Sequence, residues 1–459
     1  MKKHVQLSVL LFALCFIVIA CVPITSETTL EETTTASLVD ISSTTEPSIS
    51  TFTLSQLQHD YDQLVGYFSR NPKLFTNTEE LDATIITQRE LLFEGMTALQ
   101  LYRVIAVVVA SIRCGHTMVQ APYDQVEDFF YSDYTYPVEV RLFDTHLRVT
   151  KVVGITSMET GDEIVSIDGT LVTELTQNME RFLSADGQGT TRKNIALCNS
   201  YLSYYLLFIA DDDTLDIEYF DVTQKETVSE TINRSTLLPF SFESNPPYES
   251  HFEDDYAILT VREFSPYDSY TIQSFLAFFE TFFTTVKNES INYVILDIRD
   301  NSGGDPRITS NLFSYLAKTS QPYFRSDAPN YYTGLKSSIA LAEAHYNGNL
   351  YTLINGSCFS SCGHFAALLK YQQVGIFIGE ETNGSYVCSD SSTTYTLTNS
   401  RLSFRTSTTI WPAAVEGMVL GRGVMPDIQI STNLDDYVLG IDTVMMVAIE
   451  QIEQALANE

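Results

Sequence analysis

Asn355-Gly-Ser-Cys-Phe-Ser-Ser-Cys-Gly-His-Phe365 is the stretch on which the reading of this chain turns. An apolar run, Tyr351-Thr-Leu-Ile354, leads into it, and a helical segment, Phe365-Ala-Ala-Leu-Leu-Lys-Tyr371, leads out. Small residues between a strand and a helix place a side chain such as Ser360 at a sharp turn. There the first free N–H groups of the helix face the same space. A hydroxyl at that point can act as a nucleophile, with donors at hand for the oxyanion that its attack creates. The same Ser-Ser pair is also the composition of an ordinary helix N-cap, which carries no chemistry.

A second stretch bears on that choice. Asn292-Tyr-Val-Ile-Leu-Asp-Ile-Arg-Asp-Asn-Ser-Gly-Gly304 reads as a buried strand running into a polar, glycine-rich turn. In this order the two stretches resemble the core of the tail-specific (C-terminal processing) serine peptidases, whose strand ends Leu-Asp-x-Arg-x-Asn-x-Gly-Gly. Ile378-Gly-Glu-Glu-Thr382 and Gly423-Val-Met-Pro-Asp-Ile428 extend the match downstream. The resemblance implies Ser360 as nucleophile and an oxyanion hole from Gly303 or Gly304 together with the Ser361 N–H. It implies an α/β (α+β multidomain) fold: a crotonase-like ββα-type catalytic core with a PDZ-like domain and an N-terminal helical domain.

The activating group departs from the Ser/Lys branch of that family. Its Thr-x-Gly-Lys-Gly becomes Thr382-Asn-Gly-Ser-Tyr386, so Ser385 stands where the lysine would be. The tricorn-core and retinoid-binding-module branch is the nearer one, and its tricorn-like members use a histidine. His116, in Arg113-Cys-Gly-His-Thr-Met-Val119, sits where they place it, although Cys114 replaces the aspartate of the usual Asp-x-His-Thr. Histidine also has the pKa to take and return a proton near neutral pH. His364 is the rival, one helical turn after Ser360. Glu381 is the expected orienting acid, with Glu380 and Glu416 as alternatives. A catalytically silent peptide- or small-ligand-binding module on the same core is the competing class.

Outward from the core, Leu54, Leu57, Tyr61, Leu64 and Phe68 fall at helical spacing, and Thr78 and Thr97 open two further helices. Leu147-Arg-Val-Thr-Lys-Val-Val153 and Thr160-Gly-Asp-Glu-Ile-Val-Ser-Ile-Asp-Gly-Thr-Leu-Val172 resemble a PDZ domain, a fold that captures an extended peptide at a sheet edge. Peptide capture and a structural spacer both remain open for it. From Tyr256 onward strands alternate with helices, implying parallel β with crossovers. The expected layout is therefore 53–120 helical, 121–245 PDZ-like and 246–459 catalytic.

The N-terminus reads as a signal. Lys2 and Lys3 precede the apolar run Leu7–Ala20, and Val18-Ile-Ala-Cys21 looks like a bacterial lipobox, with Cys21 as the lipidated residue. Residues 22–52, with 15 Ser or Thr among 31, read as a flexible tether. The expectation is an extracytoplasmic protein, lipid-anchored to a bacterial membrane, acting on a peptide or protein substrate. A net charge of −32 excludes nucleic acid as a partner, because phosphate binding needs clustered Lys and Arg. No cofactor is expected and no metal, since Cys358 and Cys362 lack a second ligand pair. With five cysteines left beside a lipidated Cys21, at least one thiol is free unless an intermolecular bridge forms, and a pair among Cys358, Cys362 and Cys388 is one way to pin the nucleophile turn to the 379–390 loop.

Overall fold

The computed structural model describes residues 50–123, 125–126, 134–210, 213–236, 245–265 and 269–458. The expected signal segment 1–21, with Cys21, and nearly all of the 22–52 tether lie outside them. No helix among the described residues is long and apolar enough to cross a membrane.

Three helices begin the described chain. Leu54–Tyr67 and Ala98–Ala110 open with reciprocal capping boxes, Thr53 with Gln56 and Thr97 with Gln100. Thr78–Arg89 is capped by Asn77, one residue ahead of the expected Thr78, because the amide oxygen reaches the Glu80 N–H. Ala98–Ala110 is buried nearly all round, as its apolar composition predicts.

The PDZ-like sheet orders its strands Val138–Phe143, His146–Val152, Glu163–Ile167, Thr214–Asp221 and Glu226–Asn233. Helices Val172–Glu180 and Thr191–Phe208 lie between the third and fourth strands in sequence. One hydrophobic cluster runs through both halves: Leu57, Leu64 and Ile105 of the helices share it with Leu147, Leu175 and Leu215. The boundary expected at 120 thus falls inside a common core. Met118–Val119 crosses to pair antiparallel with Ser403–Thr406 of the catalytic part, just after His116.

The catalytic sheet runs Tyr248–Phe252, Tyr256–Val261, Tyr293–Asp297, Asn349–Ile354, Ile376–Gly379 and Ile428–Gln429. Only the first pairing is antiparallel. Tyr293–Asp297 is buried throughout, as a central parallel strand covered on both faces must be. One face is packed by Ser269–Asn288, Pro306–Leu316 and Ser361–Tyr371, the other by the closing helix Thr443–Leu456. The expected hairpin near 393–410 is present as Thr393–Thr396 against Ser403–Thr406.

The four sequence motifs meet as two stitched pairs. Asp300 and Asn355 exchange hydrogen bonds, and the Phe359 N–H donates to the Asn301 carbonyl (3.1 Å), tying the glycine turn to the turn that holds Ser360. The Val424 N–H donates to Thr382 Oγ1 (2.7 Å) and the Gly423 N–H to Glu381 (2.8 Å). A Cβ on Gly423 would collide with the Thr382 carbonyl, so that motif needs its glycine. Arg299 clamps Asp297 and Asp442, locking the central strand to the start of the closing helix.

Candidate active site

Ser360 occupies the junction between the strand Asn349–Ile354 and the helix Ser361–Tyr371 with φ 54° and ψ −125°. For a residue with a side chain this is a sparsely populated backbone, costing on the order of 1–3 kcal/mol. Its hydroxyl makes no capping bond. It lies instead 3.1 Å from His116 Nε2. Ser360 thus holds the N-cap position without capping the helix through its side chain.

Gly303 (φ 97°) lets the glycine turn approach this junction: a Cβ there would stand 2.8 Å from Ser360 Cβ and 2.9 Å from the Ser361 nitrogen. The Gly303 N–H is itself held by Asn301 Oδ1 at 2.8 Å. The N–H groups of Gly304 and Ser361 have no acceptor among the described residues. Gly363 and Gly384 face each other across the site; a Cβ on Gly363 would come within 2.5 Å of the Gly384 carbonyl carbon. Only a residue without a side chain lets the 382–386 loop pass so close to the helix.

His116 is 7 % exposed, its ring 4.3 Å from that of Phe359. Burial pulls its pKa down from 6.5 to about 4, against the opposing pull of Asp390. It is accordingly a neutral imidazole at pH 7, the form that can accept a proton. Asp390, at the end of strand Val387–Asp390, places Oδ2 3.6 Å from His116 Nε2. Burial raises the Asp390 pKa, but His116, Arg405 and Ser392 outweigh it, and the carboxyl ends below its ordinary value.

The structure brings Ser360, His116, Gly303 and Ser361 together, with Gly304 next along the chain and close against the Phe264 backbone, and leaves the other candidates elsewhere. Glu381 is bound by Arg422 Nη2 at 2.6 Å and by the Gly423 N–H, and among the described residues no hydrogen bond or ion pair joins it to His116. A carboxylate already held by a guanidinium and a backbone donor serves the loop stitching. Glu416 is exposed. His364 is buried between Tyr323 and Phe324, whose rings meet it edge-on, and burial lowers its pKa to about 4. Ser385 is buried in the loop facing Gly363, with no side-chain bond to Ser360 or His116 among the described residues.

Cys114, Cys198, Cys358, Cys362 and Cys388 are all free thiols, so the pair that could have pinned the turn is not formed. Cys358 and Cys362 both turn to the Ile298 carbonyl, at 3.0 and 3.9 Å, rather than toward Cys388. Cys114, His116 and Asp186 each offer a ligand atom within 4.8 Å of the others. The donor set fits a metal poorly: burial pushes the Cys114 thiol up to about 12, and the thiol is engaged with Ser389 and Ser407. A closed structural zinc site also needs a fourth ligand.

Sequence reasoning missed Asp390 and Asp186. Neither stands in a motif or at a fixed spacing from Ser360; tertiary pairing alone brings them to His116.

Residues 255–430 match the family model of peptidase family S41. The fold is similar to that of mature CPAF: TM-score 0.59 and 13% identity, covering 84% of this chain and 94% of that one. Mature CPAF complexed with lactacystin gives TM-score 0.60 at 13% identity, over 88% and 98% of the two chains. The photosystem II D1 C-terminal processing protease gives TM-score 0.39 at 15% identity, over 85% and 98%. No curated protein sequence matches. The match to peptidase family S41 thus lies over residues 255–430, and the chain is a serine-type peptidase.

Proposed function

We propose that this chain is a lipid-anchored endopeptidase that works outside the cytoplasm on extended polypeptide segments, C-terminal tails among them, with Ser360 as nucleophile and His116 as base. The observation that carries the reading is the 3.1 Å approach of His116 Nε2 to the Ser360 hydroxyl. Nε2 takes the hydroxyl proton as Oγ attacks the scissile carbonyl, and later returns it to the leaving amine. The N–H groups of Gly304 and Ser361 receive the oxyanion; such a donor is worth roughly 10²–10³ in turnover. Asp390, 3.6 Å from Nε2, favours the imidazolium that forms. The PDZ-like sheet supports capture of an extended strand before cleavage. The lipobox-like Val18-Ile-Ala-Cys21 supports the anchor.

The test is covalent labelling of the full chain by a fluorophosphonate probe. Wild type labels and Ser360→Ala does not; a wild type that stays unlabelled while folded would make the chain a silent binding module instead. For localisation, Cys21→Ser is expected to move the protein to the soluble fraction or leave it unprocessed. Unchanged detergent partitioning with normal processing would remove the anchor from the proposal.

A further inference from the structure

The reaction proposed above uses His116 only through Nε2, and the other ring nitrogen has an unanswered requirement. His116 Nδ1 is buried and bonded to nothing among the described residues, and the same holds for Asp186 Oδ2 and Asn383 Nδ2. Buried polar atoms in folded proteins nearly always find a partner, directly or through water. These three are neighbours. The Gly115 N–H donates to Asp186 Oδ1 at 2.7 Å, and the Asp186 N–H to Asn383 Oδ1 at 3.3 Å. A carboxylate oxygen of Asp186 and a ring nitrogen of His116 lie within 4.8 Å. Two hydrogen bonds of about 2.8 Å through a single water span such a gap.

The need for that link follows from the tautomers. A neutral imidazole carries one proton, and Nε2 can accept from Ser360 only when that proton sits on Nδ1. Asp390 lies on the Nε2 side, and a carboxylate there by itself favours the opposite tautomer, with the proton on Nε2. Cys114 stands where the resembled family has an aspartate, and a thiol whose pKa is pushed up to about 12 supplies no charge.

We propose that Asp186 is the positioning residue of this site: linked to His116 Nδ1 through a bridging water, its carboxylate keeps the imidazole proton on Nδ1 and so leaves Nε2 bare for Ser360. In the step itself the Ser360 proton moves to Nε2, the Nδ1 proton stays in place, and Asp186 neither gains nor loses a proton. The loop holding Asp186 is fixed at both sides: the Gly187 N–H donates to the Arg113 carbonyl and the Gln188 N–H to the Gly421 carbonyl, each at 3.0 Å. The carboxylate is thereby presented by the end of the PDZ-like part, across from the catalytic domain. Burial raises the Asp186 pKa to about 7, with Gly115 and Arg192 pulling it back and Asp390 pushing it further. Around His116 the charged groups are Asp390, Arg405 and Arg192. Labelling should therefore fall in two steps as pH falls, first through about 7 as Asp186 takes a proton, then through about 4 as His116 does.

The experiment measures the rate of Ser360 labelling by a fluorophosphonate against pH for the full chain, wild type, Asp186→Asn and Asp186→Glu, beside the ¹⁵N spectrum of the His116 ring. An unlabelled wild type would defeat the proposed function, whereas the ring spectrum reads this inference independently. Expected are an Nδ1–H ring in wild type and labelling slowed by ~10² or more in Asp186→Asn, because an amide can hold the wrong tautomer. The upper pH step should vanish in Asp186→Asn, and Asp186→Glu should restore most of the rate. Labelling of Asp186→Asn within about threefold of wild type would overturn the assignment, as would an Nε2–H ring in wild type, which settles the matter even if the variant does not fold.

Discussion

Two turns of this molecule carry a buried histidine within reach of Ser360 in sequence or in space, and they have opposite fates. The turn after the helix Ala98–Ala110 delivers His116 from 244 residues away to within 3.1 Å of the hydroxyl. The helix Ser361–Tyr371 carries His364 four residues beyond Ser360 and buries it between Tyr323 and Phe324. Burial lowers both to about 4, so neither charge state nor enclosure separates them. What separates them is the company. His116 faces a hydroxyl and stands near two carboxylates, while His364 faces aromatic edges. Ser360 stands outside the helix at φ 54°, so the alignment of helical residues four apart does not apply to it, and Tyr323 and Phe324 hold the His364 ring instead.

The comparison breaks most readily at activity. His116→Ala is expected to slow Ser360 labelling and peptide turnover by on the order of 10² or more with the melting temperature little changed. His364→Leu should remain within a few-fold of wild type in the same assay; the reverse ranking would move the base to His364. Asp390→Asn sharpens the point about company. Losing a carboxylate 3.6 Å from Nε2 should cost roughly tenfold, about 1.4 kcal/mol, in kcat/KM with KM near its original value. A change seen only in KM would show that Asp390 serves substrate binding instead.

The smallest effect is on stability. His364 has its folded pKa depressed from 6.5 to about 4, so its contribution is present above pH 6.5 and is lost as pH falls toward 4. The full loss is about 3 kcal/mol as an upper bound. His364→Leu should therefore show a smaller drop in urea midpoint between pH 7.5 and 4.5 than wild type does. Equal drops would mean that the ring is not held neutral.

Much of this was legible in the sequence because the signals are local. The apolar run before Asp297, the glycines at 303 and 304 and the small residues around Ser360 set strand, turn and helix through backbone sterics and periodicity, which act over a few residues. The crossovers of the parallel sheet followed from the alternation of those elements. Ser360 and His116 came from motif resemblance. The acids did not. Glu381 looked apt from its place beside Thr382, yet Arg422 and Gly423 hold it, while Asp390 and Asp186 carry no motif and no spacing.

By itself, then, the sequence determined the elements and their order, and it put Ser360 at the turn between a strand and a helix, since each rests on interactions between neighbours along the chain. The tertiary structure alone decided which carboxylates meet His116, which thiols stay apart and which histidine faces the hydroxyl. Those outcomes depend on where the PDZ-like and helical parts dock against the catalytic sheet, through contacts such as Met118–Val119 on Ser403–Thr406. Charge and hydrogen-bond energies fall off within a few ångströms, and no distance along the chain encodes that proximity.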